Sequence, residues 1–283
     1  MYQFTQDANA ILVQSGSAVM KMKLNMTQSS RFLLCAVALL AGTCRADAQN
    51  LPELIKKLKP SVVALAIYNP TAAPRLKLLG SGFVVAPGNQ IVTNYHVISA
   101  PLTSSQNESY VVLSGHGQQP KVHQILSKRV APQYDMAVLE IAEKLPAVRL
   151  ASADYVAEGT ELAFTGYPIT GVLGLYPATH GALLSAVTPV AIPADNSQTI
   201  SAATLRQLRD PFFIYQLDGT AYPGNSGSML YRQDTGEVVG VINMVLVKSS
   251  REAILSDPSG ISYAIPVRHL HQLLSQQPTG AQQ

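Results

Sequence analysis

The chain has 283 residues, 47% of them hydrophobic and 13% charged, with a formal net charge of +3, 18 prolines and 19 glycines. That length holds one large domain or two small ones, and the composition is that of a globular, loop-rich chain, which excludes the disordered, collagen-like and coiled-coil classes. No segment approaches the run of about 18 apolar residues that a membrane-spanning helix needs.

Residues 1–48 read as a leader with a cleavable signal peptide. Lys21, Lys23 and Arg31 supply positive charge, Phe32 to Gly42 is an apolar run, and Ala46-Asp47-Ala48 has the small-x-small pattern of a cleavage site. Met20, Met22 and Met26 each offer a later translation start, and Thr43 before Cys44 argues against a lipid anchor. Cleavage after Ala48 removes Cys35 and Cys44 with four basic and two acidic residues, leaving a nearly neutral, cysteine-free chain. Nucleic acid and anionic membrane are therefore disfavoured as partners, and thiol nucleophiles, thiolate metal sites and disulfides are excluded. No metal or cofactor is expected, and the location implied is periplasmic or extracellular.

Along the rest of the chain, Leu51 to Leu58 is a short helical segment, followed by apolar or β-branched runs separated by Gly, Pro and Asn. These runs are Val62–Tyr68, Gly82–Val85, Ile91–Thr93, Tyr110–Leu113, Met136–Ile141, Leu162–Thr165, Leu183–Val187, Phe213–Leu217, Val238–Val247 and Ile261–Ile265. Pro87-Gly88-Asn89 marks a hairpin turn. Such closely spaced strands predict an all-β barrel or sandwich. Val267, Leu270, Leu273 and Leu274 fall on one face of a terminal helix. Pro189 to Arg209 interrupts the rhythm as a long surface insertion, and residues 278–283 read as a disordered tail, leaving 49–277 as one domain.

Three segments place a chemically capable residue at the end of an apolar run: Thr93-Asn94-Tyr95-His96-Val97, Tyr134-Asp135-Met136-Ala137, and Pro223-Gly224-Asn225-Ser226-Gly227-Ser228. A serine hydroxyl is a weak nucleophile that needs an adjacent base, and the base needs a carboxylate to set its tautomer. Glycines beside Ser226 let the backbone turn tightly enough for two N–H groups to converge on an oxyanion. Asp154, Asp195, Asp210 and Asp218 compete for the carboxylate role, but Asp135 opens an apolar strand.

With these motifs in the order His, Asp, Ser, the chain resembles the trypsin-like serine endopeptidases, and within them the protease domain of the HtrA/Deg family. The likeness runs from about Leu54 to Leu274 and includes Gly80-Ser81-Gly82-Phe83 and Ile261-Ser262-Tyr263-Ala264-Ile265-Pro266. It implies two six-stranded Greek-key β-barrels with a short N-terminal and a C-terminal helix. It also implies catalytic His96, Asp135 and Ser226, an oxyanion hole from the N–H groups of Gly224 and Ser226, and protein or peptide substrates, misfolded proteins among them. A trimeric homo-oligomer is compatible with it. The chain stops shortly after the last helix, so regulation by a PDZ domain in cis is not expected.

Ser228 stands where the family has a second glycine, as in glutamyl endopeptidases, but the strand from Val239 to Val245 lacks the histidine that glutamate specificity would require. Asn225 cannot form the charge pair that an aspartate before the nucleophile makes with a new N-terminus, so no zymogen cleavage beyond signal removal is expected. Thr220, Asn243, Met244 and Val245 are read as substrate-binding, selecting a small or medium aliphatic side chain. The alternative is a catalytically silent module of the same fold that binds unfolded polypeptide. His269 and His271 would point about 200° apart on a helix, which disfavours a metal and makes both solvent-facing. His116 and His123 read as surface residues, and His180 lies ahead of a strand with no assigned role.

Overall fold

This computed structural model describes residues 51–117, 119–168, 175–190, 212–244 and 260–276, all within the unit Ala48–Gln283. The leader, the tail, Val245 and most of the Pro189–Arg209 stretch lie outside the described residues.

Helix α1 (Leu51–Leu58) is followed by β1 (Val62–Tyr68), β2 (Leu76–Val85), β3 (Gln90–Asn94), β4 (Ser109–Ser114), β5 (Lys121–Ala131) and β6 (Met136–Ile141). These strands close an antiparallel barrel in the order β1-β2-β3-β6-β5-β4. A second barrel, in the order β10-β11-β12-β9-β8-β7, is built from β7 (Glu161–Gly166), β8 (Ala178–Pro189), β9 (Phe213–Asp218), β10 (Met229–Arg232), β11 (Val238–Asn243) and β12 (Ile261–Pro266), and α2 (Val267–Leu274) ends the described fold. The expected all-β architecture of two six-stranded Greek-key barrels flanked by two short helices is the one observed.

The barrels explain why several strands are apolar on both faces. In β1, Val63 and Leu65 fill the interior of barrel 1 with Val84, Ile91, Val112 and Leu139. The alternate residues Val62, Ala64 and Ala66 face a different core, shared with Met229, Tyr231 and Val241 of barrel 2. Strand β6 divides in the same way, with Ala137 and Leu139 inside and Met136 and Val138 in the shared core. A fully buried Val or Leu contributes about 1.5–3 kcal/mol, so the side chains gathered in this seam hold the two barrels together. Both helices seal it, through Leu54 and Leu58 of α1 and Val267, Leu270 and Leu273 of α2. Arg129 of β5 donates to the carbonyls of Leu274 and Gln276 at 3.1 and 2.8 Å, meeting acceptors that the end of α2 leaves open.

Strands β5 and β10 were not anticipated. Strand β5 alternates exposed with buried or half-buried positions, and polar residues interrupt its apolar ones, while β10 is only four residues long and directly follows the Ser226 turn. Three histidines also differ from expectation. His123 is 1% exposed and His269 7% exposed, because barrel closure covers the first and the packing of α2 covers the second. His180 lies within β8, paired with Phe164, and not ahead of a strand.

Candidate functional site

The candidate site lies where the end of β3, the start of β6 and the turn between β9 and β10 meet. A 3-10 turn over Pro132–Tyr134 precedes β6 and is closed by Asp135 in the left-handed region at φ 48°. Asp135 is thereby turned toward the segment after β3. Its carbonyl accepts from the N–H of Tyr95 at 3.1 Å and from the Asn94 side chain at 3.1 Å. Its carboxylate takes the His96 N–H on Oδ1 at 2.8 Å and His96 Nδ1 on Oδ2 at 2.6 Å. A carboxylate accepts only, so Nδ1 carries the proton and Nε2 keeps its lone pair, the tautomer a general base needs.

Asn243, at the end of β11, donates from Nδ2 to Asp135 Oδ2 at 2.6 Å. Asn243, expected among the substrate-binding residues, thus also braces the Asp135 carboxylate. Thr220 follows β9 in a segment held by three hydrogen bonds. The Gly219 N–H donates to the Gly260 carbonyl at 2.9 Å, the Ala221 N–H to Ser262 Oγ at 2.8 Å, and Ser262 Oγ–H to the Gly219 carbonyl at 2.6 Å. Met244 packs against the interior core of barrel 2, whereas Val245 lies outside the described residues.

Ser226 stands between two linked turns. The Asn225 N–H closes the first on the Tyr222 carbonyl at 2.9 Å, and the Ser228 N–H closes the second on the Asn225 carbonyl at 3.0 Å. Gly224 and Gly227 occupy the third position of each, with φ of 98° and 88°, the conformation that suits glycine in a type II turn. At Gly227 there is no space either, because a Cβ would fall 2.0 Å from the Ser81 carbonyl oxygen. Among the described residues, the N–H groups of Gly224 and Ser226 donate to no protein acceptor. Two donors left open on adjoining turns are what an oxyanion hole requires. Ser226 is 7% exposed. Its Oγ makes no hydrogen bond to His96 among the described residues; hydrogen bonds of this kind often tighten only in the substrate complex.

Sequence reasoning missed the residue that carries this loop. Ser81 of β2 donates its N–H to the Ser226 carbonyl at 2.8 Å and its hydroxyl to the Gly224 carbonyl at 2.7 Å. Its Oγ accepts the Tyr167 N–H at 2.8 Å, and its carbonyl accepts the Thr93 hydroxyl at 2.8 Å. The available signal was Ser81 within Gly80-Ser81-Gly82, where glycines permit close backbone approach. A Cβ at Gly80 would lie 3.0 Å from both the Ser226 carbonyl oxygen and a Val97 methyl, so the serine turn and the segment after His96 are that near each other. Close by, the His180 ring stacks on Phe164 at 5.0 Å and lies 5.8 Å from Tyr222; burial pushes its pKa down. His271 and His269 take different partners: His271 Nε2–H donates to the Ala151 carbonyl at 2.8 Å, while His269 stacks on Tyr134 at 4.1 Å.

The chain is similar to known proteins in sequence and in fold. A probable periplasmic serine endoprotease DegP-like from Halomonas elongata is 26% identical over 77% of this chain and 40% of its own length. A protein of the same description from Marinomonas sp. is 30% identical over 66% of this chain and 33% of its own length. The chain thus spans well under half of the curated relatives it matches. Among solved structures, an HtrA-type protease AlgW with tripeptide superposes with a TM-score of 0.56 at 22% identity, covering 80% of this chain and 62% of that one, a likeness of fold. The trypsin-like peptidase domain matches residues 80–241, a stretch that holds His96, Asp135 and Ser226 with the strands that bring them together. This chain belongs to the trypsin-like peptidase domain family.

Proposed function

We propose that the chain is an exported serine endopeptidase of the HtrA type that hydrolyses peptide bonds in protein substrates. The observation that carries the reading is the His96–Asp135 pair, whose 2.6 Å contact leaves Nε2 as the free base, beside a serine turn with two open N–H donors. In this mechanism His96 takes the Ser226 proton as Oγ attacks the carbonyl carbon, and the oxyanion settles between the N–H groups of Gly224 and Ser226. His96 then protonates the leaving amine, and water repeats the sequence to release the acid. Asp135 holds the ring and stabilises the imidazolium.

Thr220 and Met244 supply no charge to the specificity pocket, which favours a small or medium aliphatic residue at the cleaved position. The signal-like pattern of residues 1–48 supports export to the periplasm or beyond. Misfolded proteins fit as substrates, and a homo-oligomer fits the family likeness.

Labelling of the purified chain with a fluorophosphonate probe, followed by casein digestion, tests the reading. Labelling that disappears in Ser226→Ala, together with a loss of kcat on the order of 10⁶ in that variant and on the order of 10⁴ in Asp135→Asn, is the expected result. A folded chain that neither labels nor cleaves would make it a silent polypeptide-binding module.

A further inference from the structure

The strand register places a second feature at the end of barrel 1 away from His96. Asn94 pairs with Met136 at the end that leads to His96, and Gln90 with Glu140 toward the other, where Ser114 pairs with Lys121. At that far end lies a cavity of about 680 Å³, lined by Lys56, Lys59, Ser114, His116, Tyr167 and Tyr176 among others. Small-molecule sites span about 300–1,000 Å³. Both barrels build its walls, joined where the Tyr167 hydroxyl donates to the Gly115 carbonyl at 2.9 Å and the Gly117 N–H to the Leu175 carbonyl at 2.9 Å.

The polar chemistry of the cavity is asymmetric. Beneath it, Glu143 accepts from His123 Nδ1 at 2.9 Å, which leaves Nε2 to accept the Ser114 hydroxyl at 2.7 Å. Ser114 therefore offers the cavity lone pairs and no charge, and Glu143 is engaged by His123 and, at 3.5 Å, by Lys121. The rim is cationic. Lys59 makes no ion pair among the described residues, and the ion pair of Lys56 is with exposed Glu53. Tyr176, 58% exposed, and the His116 ring, 6.4 Å from it and tilted by 44°, add an aromatic side.

Tyr167 connects this cavity to the serine turn. Its ring lines the cavity, while its N–H holds Ser81 Oγ, which in turn holds the Gly224 carbonyl. Burial pushes its phenol up to about 12, so the hydroxyl remains a donor to Gly115.

We propose that the cavity is an effector site for a carboxylate with an apolar body, of the kind a medium-chain fatty acid presents, and that its occupancy raises the reactivity of Ser226. The carboxylate meets the lysine rim and the apolar body packs on Tyr176 and Pro177, above the buried Tyr167. Tyr167, 1% exposed, forms the floor of the cavity, so a filled cavity limits the movement of the residue that positions Ser81, and hence of the turn that presents the oxyanion donors. The coupling rests on the peptidase reading; the binding does not.

The test uses the purified full chain, decanoate below its micellar concentration, and decanol as the uncharged control. Calorimetric titration reads binding, and the rate of fluorophosphonate capture at Ser226 reads the coupling. Saturable decanoate binding, tighter than that of decanol and weakened several-fold in both Lys59→Glu and Tyr176→Ala, is expected, with faster capture in its presence. Tyr167→Phe is expected to bind decanoate and to lose the acceleration. Absence of saturable binding, or equal binding by Lys59→Glu, overturns the site. Binding without acceleration in the wild type overturns the coupling. A chain that binds decanoate yet shows no capture in either state upholds the site and counts against the peptidase reading instead.

Discussion

Ser81 Oγ donates to the Gly224 carbonyl at 2.7 Å, so a residue of barrel 1 fixes the Gly224–Asn225 peptide, which lies between the two peptide units that carry the proposed oxyanion donors, the N–H groups of Gly224 and Ser226. That bond fixes orientation without touching substrate. Ser81→Ala is expected to lower kcat on a peptide substrate by roughly 10–100-fold while KM stays within about twofold, because only the transition state develops the charge that the turn must meet. A parallel drop in fluorophosphonate capture accompanies it. An equal loss in kcat and rise in KM would place Ser81 outside the positioning of the oxyanion turn.

Asn243 shares Asp135 Oδ2 with His96. A charge-assisted hydrogen bond contributes about 1.5–3 kcal/mol, and about 1.4 kcal/mol corresponds to a factor of ten in rate. Asn243→Ala is therefore expected to reduce kcat by about 10-fold or more. Asn243→Asp is expected to reduce it further at neutral pH, since two carboxylates in hydrogen-bond contact cannot both ionise without large cost. Steady-state kinetics of the two variants side by side decide this, and an Asp variant as active as the Ala variant would refute it.

His269 is held neutral. Burial, and secondarily the neighbouring Arg268, push its pKa down to about 4 from 6.5. Because the folded value lies below the unfolded one, the unfolded chain binds the extra proton between these limits. The associated stability is complete above pH 6.5 and is lost as pH falls toward 4. Urea unfolding at pH 7 and pH 4.5 is expected to show an acid-linked loss of about 1–3 kcal/mol that shrinks in His269→Phe, which keeps the ring against Tyr134.

Ser228 is fully buried and its Oγ has no hydrogen-bond partner among the described residues, although its backbone pins the serine turn to β11 through the Ile242 N–H at 2.9 Å. An unsatisfied buried hydroxyl costs about 1–3 kcal/mol. Ser228→Ala keeps the backbone bond and removes the orphan oxygen, so a gain of up to about 1 kcal/mol in unfolding free energy is expected. A clear destabilisation measured by denaturant titration would show that the hydroxyl is satisfied in solution.

The legible elements were those whose signal is local. Helix α2 announces itself by Val267, Leu270, Leu273 and Leu274 on one face, and β1 and β6 by unbroken apolar runs, because strands between two cores need apolar residues on both sides. Strand β5 lacked such a run because one of its faces meets solvent. The burial of His123 and His269 was illegible because a histidine is covered or exposed according to what packs over it, and the partners of these two, Ser114 with Glu143 and Tyr134, lie elsewhere in the chain.

By itself the sequence determined which chemistry this protein can attempt. It supplies the residues proposed as base, carboxylate and hydroxyl, the glycines that let the chain turn at Gly224 and Gly227, and a succession of short apolar runs that close into barrels, all properties of residue type and near neighbours. Only the tertiary structure decided how those groups are held. Asn243 braces Asp135 across 108 positions, and Ser81 orients Gly224 across 143. Such bonds depend on the seam that brings two barrels together, and a seam formed by residues distant in sequence leaves no local period to read.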